Sequence, residues 1–219
     1  MLILYTEAKV EIHSFEAFQD YYYFQLPKKV NVKGFEFGYR YQNLQDPLRF
    51  ITIYGIKNET FLESLLSRQI AQRDPMLQIL SEQEQGFVLD DIRLGVYQLK
   101  QENPSTTSLL KGNSHLTVEL WDWKEPQNGE ELNHEFDAHY TEEILNYPDH
   151  FVTFRFEILD DPRIDYTNTA PKNLLLVEFE PLIGLEDNET YEWVEQKRNL
   201  VQNLSIFSYR PIAKHWKSH

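Results

Sequence analysis

The sequence of 219 residues predicts an α+β fold in which one β-α-β-β-α-β unit occurs twice in tandem. Period-2 alternation marks strands and helical periodicity marks the helices between them. The order of these elements is the same in both halves of the chain. A polar stretch rich in Pro, Ser, Thr and Gly lies between the halves, as is typical of linkers. We therefore expect two domains, 1–100 and 115–219, joined by a linker at 101–114.

The first copy has the full set of six elements. They are a strand at 2–8, a helix at 13–27, strands at 35–43 and 49–56, a helix opening at Asn58 and a strand at about 87–99. In the first helix, Phe15, Phe18, Tyr22 and Leu26 form one apolar stripe, so the aromatic run at 20–24 is interpreted as core packing and not as a cofactor site. Asn58 is a favourable N-cap residue, which places the start of the second helix.

The second copy repeats this order. Its elements are a strand at 115–124, a helix at about 129–146, strands at 150–159 and 173–181, a helix at 188–203 and a strand at 205–212. The segment 160–173 is longer than the matching connection of the first copy and carries prolines and turn formers. It is interpreted as a loop that could cover a site.

Local matches between the copies support a duplication. YRYQNL at 39–44 matches FRFEIL at 154–159, which places Arg40 opposite Arg155. The helix openings at 57–61 and 187–191 share Asn-Glu-Thr followed by an aromatic residue, although capping preferences alone would favour Asn and Glu there.

Composition excludes several classes of function. The formal charge of −14 and the isoelectric point near 4.9 argue against binding to nucleic acid or to an anionic membrane. The absence of cysteine excludes disulfides, thiolate metal sites and cysteine nucleophiles. There is no apolar run of about 20 residues. We expect a soluble, cytoplasmic protein, and the sequence leaves self-association open.

One helical segment carries a candidate acid/base pair. His134-Glu135 followed by His139 imitates a zinc motif, but an i,i+5 pair lies roughly 140° apart around a helix and cannot bind one ion, so no metal site is predicted. His139 and Glu143 are spaced i,i+4 and share a face. They form either a general-base pair or a solvated ion pair.

The strand faces give the candidate ligand site. Tyr39, Tyr41, Phe154 and Phe156 make one face of their strands apolar, and we expect this face to lie under the helices. The opposite face would then point into the space between two sheets. Five residues on such faces are predicted to bind a ligand, namely Arg40, Arg93, Arg155, Arg210 and Trp121.

These charged faces allow two interpretations. The arginines could grip an acidic or phenolic ligand, with Glu157 or Glu178 as proton acceptor. Alternatively, the same side chains form ion pairs that join the two halves, because unpaired buried charges are costly.

The segment HEFDAHYTEEIL at 134–145 resembles the dimeric α/β-barrel superfamily, and within it the EthD-like group. Glu135, Phe136, Tyr140, Glu142, Glu143 and Arg155 fall where the pattern of that group has matching residues. His139 stands where the group usually has Trp, and Ile144 stands where it has a helix histidine.

The resemblance implies ferredoxin-like units whose sheets face one another in a barrel, here as a pseudo-dimer within one chain. It also implies a small-molecule-binding protein or a cofactor-independent monooxygenase or isomerase acting on an acidic or aromatic metabolite. No cofactor is predicted. Haem is a lower-ranked alternative, with His115 the one histidine near a predicted barrel strand. The departure at Ile144 favours the alternative of a non-catalytic assembly domain with an ion-paired barrel interior, whereas the arginine-bearing faces and the segment 160–173 favour ligand binding.

Overall fold

The fold is a closed barrel of eight antiparallel strands, seen in a computed structural model that describes residues 1–31, 34–63, 88–102, 112, 114–144, 151–159, 170–179 and 199–216. The strands, in chain order, are β1 (Leu2–Val10), β2 (Phe35–Asn43), β3 (Arg49–Ile56), β4 (Leu89–Glu102), β5 (His115–Trp123), β6 (Phe151–Ile158), β7 (Asn173–Phe179) and β8 (Val201–Trp216). They are hydrogen-bonded in the order β1-β3-β2-β8-β5-β7-β6-β4, and β4 returns to β1.

Strands from both halves of the chain build this one barrel. The strands of the first half are hydrogen-bonded in the order β4-β1-β3-β2, and those of the second half in the order β8-β5-β7-β6. The halves meet where β2 pairs with β8 and where β4 pairs with β6. The strand order within each half is therefore equivalent.

Two long helices among the described residues lie outside the barrel, one in each half. They are α1 (Phe15–Val30) and α2 (Gly129–Ile144). A further helical turn occupies 59–63, and the Phe61 amide donates to Asn58 Oδ1 at 2.9 Å, so the predicted N-cap is confirmed. No described helix is both long and apolar enough to span a membrane.

The predicted strands agree with the observed ones to within a few residues, except at the end of the chain. The helix predicted at 188–203 is wrong at its C-terminal end, because Val201 pairs with Trp123 and begins β8. β8 also continues beyond the predicted end at residue 212. Residues 199–200 form a turn and not the predicted helix. The rest of that helix (188–198), residues 160–169 of the predicted loop at 160–173 and most of the linker at 101–114 lie outside the described residues, but β4 extends to Glu102.

The barrel interior is filled by large apolar side chains from all eight strands. Those that show no exposed surface include five tyrosines and two phenylalanines, namely Tyr5, Tyr39, Tyr41, Tyr97, Tyr209, Phe37 and Phe156. An eight-stranded barrel has an interior just wide enough for its own side chains. The described part of the barrel is therefore a packed core.

The outer face of the barrel is covered by the helices. Leu26 and Val30 of α1 pack against Leu4 and Tyr54 in the first half. In the second half, Phe136 of α2 packs among Trp121, Trp123 and aliphatic residues of β7. Both faces of the sheet are consequently buried where these helices cover it.

A buried ionic cluster joins the two halves at one end of the barrel. The Glu7 side chain has no exposed surface and lies 2.7 Å from Arg49 Nη1. It also accepts hydrogen bonds from the hydroxyls of Tyr5 (3.1 Å) and Tyr209 (3.2 Å), the latter from β8. Arg49 in turn pairs with Asp91, and the hydrogen bond from Arg49 holds the pKa of the Asp91 carboxyl below its usual value.

Removing the Glu7 carboxylate should destabilise the whole barrel. Glu7→Ala leaves Arg49 and two tyrosine hydroxyls without their shared acceptor, and we expect a loss of roughly 3–5 kcal/mol in the free energy of unfolding. Urea unfolding monitored by tryptophan fluorescence measures it. Lys9→Ala is the control, because the Lys9–Asp46 ion pair is exposed and should contribute no more than about 1 kcal/mol. Equal losses in the two variants would contradict this role of Glu7.

Candidate functional site

The predicted assignment of strand faces is wrong for the strands that carry Arg40, Arg155, Trp121 and Arg210, all of which were expected between the sheets. Tyr39 and Phe154, which were expected under the helices, point into the barrel. Arg40 and Arg155 instead lie on the outer face, beneath α1 and α2. The closed interior is the part of the fold farthest from water, so it takes the aromatic face. The charged face lies where helix side chains can pair with it.

Arg155 is the centre of a polar network beneath α2. Its side chain has no exposed surface, yet it meets two carboxylates: Nε lies 2.9 Å from Asp137 Oδ1, and Nη2 lies 3.0 Å from Glu157 Oε1. Nη2 also donates to Asn173 Oδ1 at 3.1 Å. The guanidinium plane lies over the ring of Phe136 at 5.7 Å. Such a paired guanidinium is held in one orientation.

The network continues from Glu157 towards the start of α2. Asn133 donates to Glu157 Oε1 at 2.6 Å, and Trp123 Nε1 donates to Asn133 Oδ1 at 2.8 Å. Lys100 lies 3.4 Å from Glu157 Oε2. Glu157, predicted as a proton acceptor, is therefore already bound to three donors.

Asp137 keeps some acid/base capacity in this network. Burial raises the pKa of its carboxyl, and the neighbouring Arg155 only partly opposes that shift. The side chain remains 30% exposed. Proton exchange between Asp137 and solvent is therefore feasible.

Beside this network lies a buried pair whose polar atoms lack partners. Glu119 and Trp121 point to the outer face of β5 and are at most 2% exposed. Glu119 Oε2 and Trp121 Nε1 make no hydrogen bond with any part of the chain that the structure describes. Burial alone raises the pKa of the Glu119 carboxyl to about 8. Trp121 packs against Phe136 with ring centroids 5.1 Å apart.

This pair can bind a polar ligand in an apolar setting. Buried polar atoms are normally hydrogen-bonded, so a carboxyl oxygen and an indole N–H without partners are unusual. Together they offer one acceptor or acid group and one donor. A carboxyl with a pKa near 8 carries its proton in most molecules at neutral pH, and its deprotonated form is a stronger base than an ordinary carboxylate.

In the first half, aromatic rings surround Arg40. Its guanidinium carbon lies 4.3 Å from the ring centroid of Tyr22 and 4.8 Å from those of Phe18 and Phe50. Arg40 Nη1 donates to Gln19 Oε1 at 2.7 Å. These contacts enclose the arginine predicted to bind ligand.

The remaining predicted site residues are dispersed. Arg93 belongs to the ionic cluster at the barrel end and donates to Ser205 Oγ at 2.9 Å. Arg210 is exposed on the outer face and donates to Gln42 Oε1 at 2.6 Å. Glu178 lies in the barrel as predicted, where burial and its negative charge raise the pKa values of Tyr39 and Tyr41.

The side chains of the helical candidates His139 and Glu143 lie outside the described residues, although both positions belong to α2. Within the described ranges, no group of three His, Asp or Glu side chains could hold a metal ion. Of the predicted ligand residues, the structure brings together only Arg155 and Trp121, through their shared contact with Phe136.

Glu119 was not among the predicted site residues. Its signal in the sequence is a carboxylate in the middle of the strand HLTVELWDW, flanked by Val118 and Leu120. A charged residue between two core positions indicates either a solvated face or a buried ionisable group. The structure distinguishes these two possibilities for Glu119, because its strand, β5, lies beneath α2.

Comparison with known proteins identifies the fold. No family model matches the sequence, and no curated protein sequence matches it significantly. Solved structures do match over nearly the full chain. An anthrone oxidase-like protein superposes with a TM-score of 0.66 at 11% identity, covering 100% of this chain and 94% of its own.

Two further structures give the same result. A candidate monooxygenase from Fusobacterium nucleatum subsp. nucleatum has a TM-score of 0.62 at 9% identity, covering 99% of this chain and 94% of its own. A candidate chlorite dismutase has a TM-score of 0.56 at 10% identity, covering 97% and 96%. At such identities the likeness is one of fold alone, and these structures share the overall fold of this chain.

Proposed function

We propose that this chain binds a small aromatic or acidic molecule beneath α2 and carries out a monooxygenase-like reaction on it, as a cofactor-independent protein of the EthD-like type. The observation that carries the proposal is the Glu119–Trp121 pair, in which Oε2 of a carboxyl of raised pKa and an indole N–H are buried without a hydrogen-bond partner among the described residues. The similarity to a candidate monooxygenase and an anthrone oxidase-like protein supports the reaction class.

The sequence predicted a ligand site between the two sheets, whereas the site proposed here lies on the outer face of the barrel. Described interior side chains fill that space. The outer face beneath α2 instead combines aromatic walls, Trp121 and Phe136, with a proton acceptor. Because Glu119 and Trp121 are almost fully buried, ligand entry requires the chain that covers them to move away from the sheet.

The residues suit a ring compound whose CH2 group is acidified by a neighbouring carbonyl. Glu119 takes a proton from that carbon, while Trp121 Nε1 donates to the carbonyl oxygen as negative charge develops there. The carbon then gives its electron pair to dioxygen, and the proton on Glu119 passes to the resulting peroxide. Loss of the second C–H proton and cleavage of the O–O bond give a new C=O group and water.

We also propose that the two halves are a tandem duplication of one ferredoxin-like unit, with domains at 1–100 and 115–219 and a linker between them. The pairing registers support it. Thr52 of β3 pairs with both Thr6 and Arg40, and Leu175 of β7 pairs with both Glu119 and Arg155. Arg40 and Arg155 therefore occupy equivalent places.

A second candidate function is a non-catalytic assembly domain. The observation in its favour is the Arg155 network, in which the guanidinium is already bound to two carboxylates and an amide. In that case the charged residues beneath α2 hold the helix on the sheet and bind no ligand.

Glu119→Gln tests the catalytic proposal. The amide keeps the shape of the protonated carboxyl but cannot accept the proton, so dioxygen uptake with anthrone as the probe substrate should fall by at least about 100-fold. An oxygen electrode measures it. Glu125→Gln, the same change at an exposed position just after β5, should keep full activity. Equal uptake in both variants, or no uptake by the unmodified protein with anthrone and related phenols, would favour the assembly domain.

The same variant should change how stability depends on pH. Glu119 keeps its proton in the folded chain up to about pH 8 but loses it above about pH 4.5 when unfolded. The folded state thus binds the extra proton, and stability falls by roughly 1.4 kcal/mol per pH unit between these values. Glu119→Gln should remove this part of the slope, as measured by urea unfolding from pH 5 to 8. Parallel stability curves for the two proteins would contradict a buried, protonated Glu119.

Arg155→Ala tests the structural role of the network. It leaves Asp137 and Glu157 facing each other beneath α2, so the free energy of unfolding should fall by about 3 kcal/mol. Arg210→Ala, at an exposed arginine with one amide partner, should cost no more than about 1 kcal/mol. A folded Arg155→Ala protein of unchanged stability would show that the ion pairs do not hold α2 in place.

A further inference from the structure

The first half contains a small cavity between α1 and the outer face of the sheet. Its volume is about 10 Å³, roughly what one water-sized molecule needs. Its walls include Thr6, Ala8, Thr52, Phe18, Tyr22 and Phe50. We call it the α1 cavity.

The pairing registers explain why space exists here. Thr6 pairs with Thr52 as Glu119 pairs with Leu175, so Thr6 occupies the position of Glu119. Two residues further along the strand, Ala8 occupies the position of Trp121. Two large side chains of the second half are thus replaced by two small ones in the first.

The chemistry of the walls is mostly apolar. Three aromatic rings and the methyl groups of Ala8, Ile92 and Leu94 face the space. The Thr6 hydroxyl already donates to the Thr52 carbonyl at 3.3 Å. The charged residues that also line the cavity are engaged elsewhere, Glu7 with Arg49 and Arg93 with Ser205.

We propose that the α1 cavity binds a small apolar molecule of the size of dioxygen. A water molecule is held firmly only by two to four hydrogen bonds. The polar groups that line this cavity mostly bond to other protein groups, so they offer few hydrogen bonds to water. Aromatic and aliphatic walls provide dispersion contacts to a polarisable diatomic molecule without requiring hydrogen bonds. The inference goes beyond the proposed reaction beneath α2 and does not depend on it, because the cavity lies in the other half.

Methyl NMR under dissolved dioxygen tests the proposal directly. Paramagnetic dioxygen speeds the relaxation of protons close to it, so the Leu94 methyl groups should relax several-fold faster with oxygen than the methyl groups of Val201. These two residues are 4% and 7% exposed, so access from bulk solvent would favour Val201. Enhancement at Leu94 no greater than at Val201 would overturn the proposal.

Two variants separate the possible occupants. Ala8→Val fills the cavity and should reduce the enhancement at Leu94 to the level of Val201, whereas Ala17→Val on the exposed side of α1 should leave it unchanged. Thr52→Val removes a hydroxyl without changing the shape of the side chain. It should preserve or increase the enhancement if the occupant is apolar. Loss of the enhancement in Thr52→Val would show that a polar occupant is needed, and would overturn the proposal even if Ala8→Val failed to fold.

Discussion

The interior of an eight-stranded barrel has room for the side chains of its own strands or for one small ligand. Here tyrosines and phenylalanines fill it, and one buried carboxylate, Glu7, satisfies the hydroxyls of Tyr5 and Tyr209 from opposite halves. A packed interior leaves no described space for a ligand between the sheets. Among the described residues, the polar groups proposed to bind a ligand lie in the layer between sheet and helices, namely Arg155, Glu119 and Trp121.

That outer layer has a different composition in each half. Beneath α2, Arg155 is held by carboxylates, and an ionisable carboxyl stands beside a tryptophan. Beneath α1, Arg40 is enclosed by rings and an amide, and small residues leave a cavity. The equivalent strand order provides the same geometry twice, so the side chains alone determine what each copy can bind.

Much of the fold could be predicted from the sequence, because strand alternation and capping are local signals. The bounds of β2 and β3 and the N-cap at Asn58 are examples. The local sequence does not show which face of a strand lies inside a closed barrel. In β2 and β6 both faces are buried, and only closure of the barrel excludes water completely from one of them. The alternation of residues along β2 therefore correctly predicted that Arg40 and Tyr39 lie on opposite faces. It did not show that the face of Arg40 is the outer one. The end of the predicted last helix failed for a related reason, since pairing of Val201 with Trp123 overrides helical periodicity.

The candidate site shows how burial can create reactivity that residue type does not reveal. Arg155, the most conspicuous candidate in the sequence, is neutralised by Asp137 and Glu157 and is thereby committed to structure. Glu119 shares a strand face with Trp121 and was not predicted as a site residue, yet burial raises its pKa to about 8, and no cation among the described residues offsets this shift. A carboxyl paired with arginine is a poor base at neutral pH, whereas an unpaired one in an apolar layer is a competent base. The same desolvation that costs the folded chain stability above pH 4.5 is therefore what makes Glu119 the stronger candidate for proton transfer.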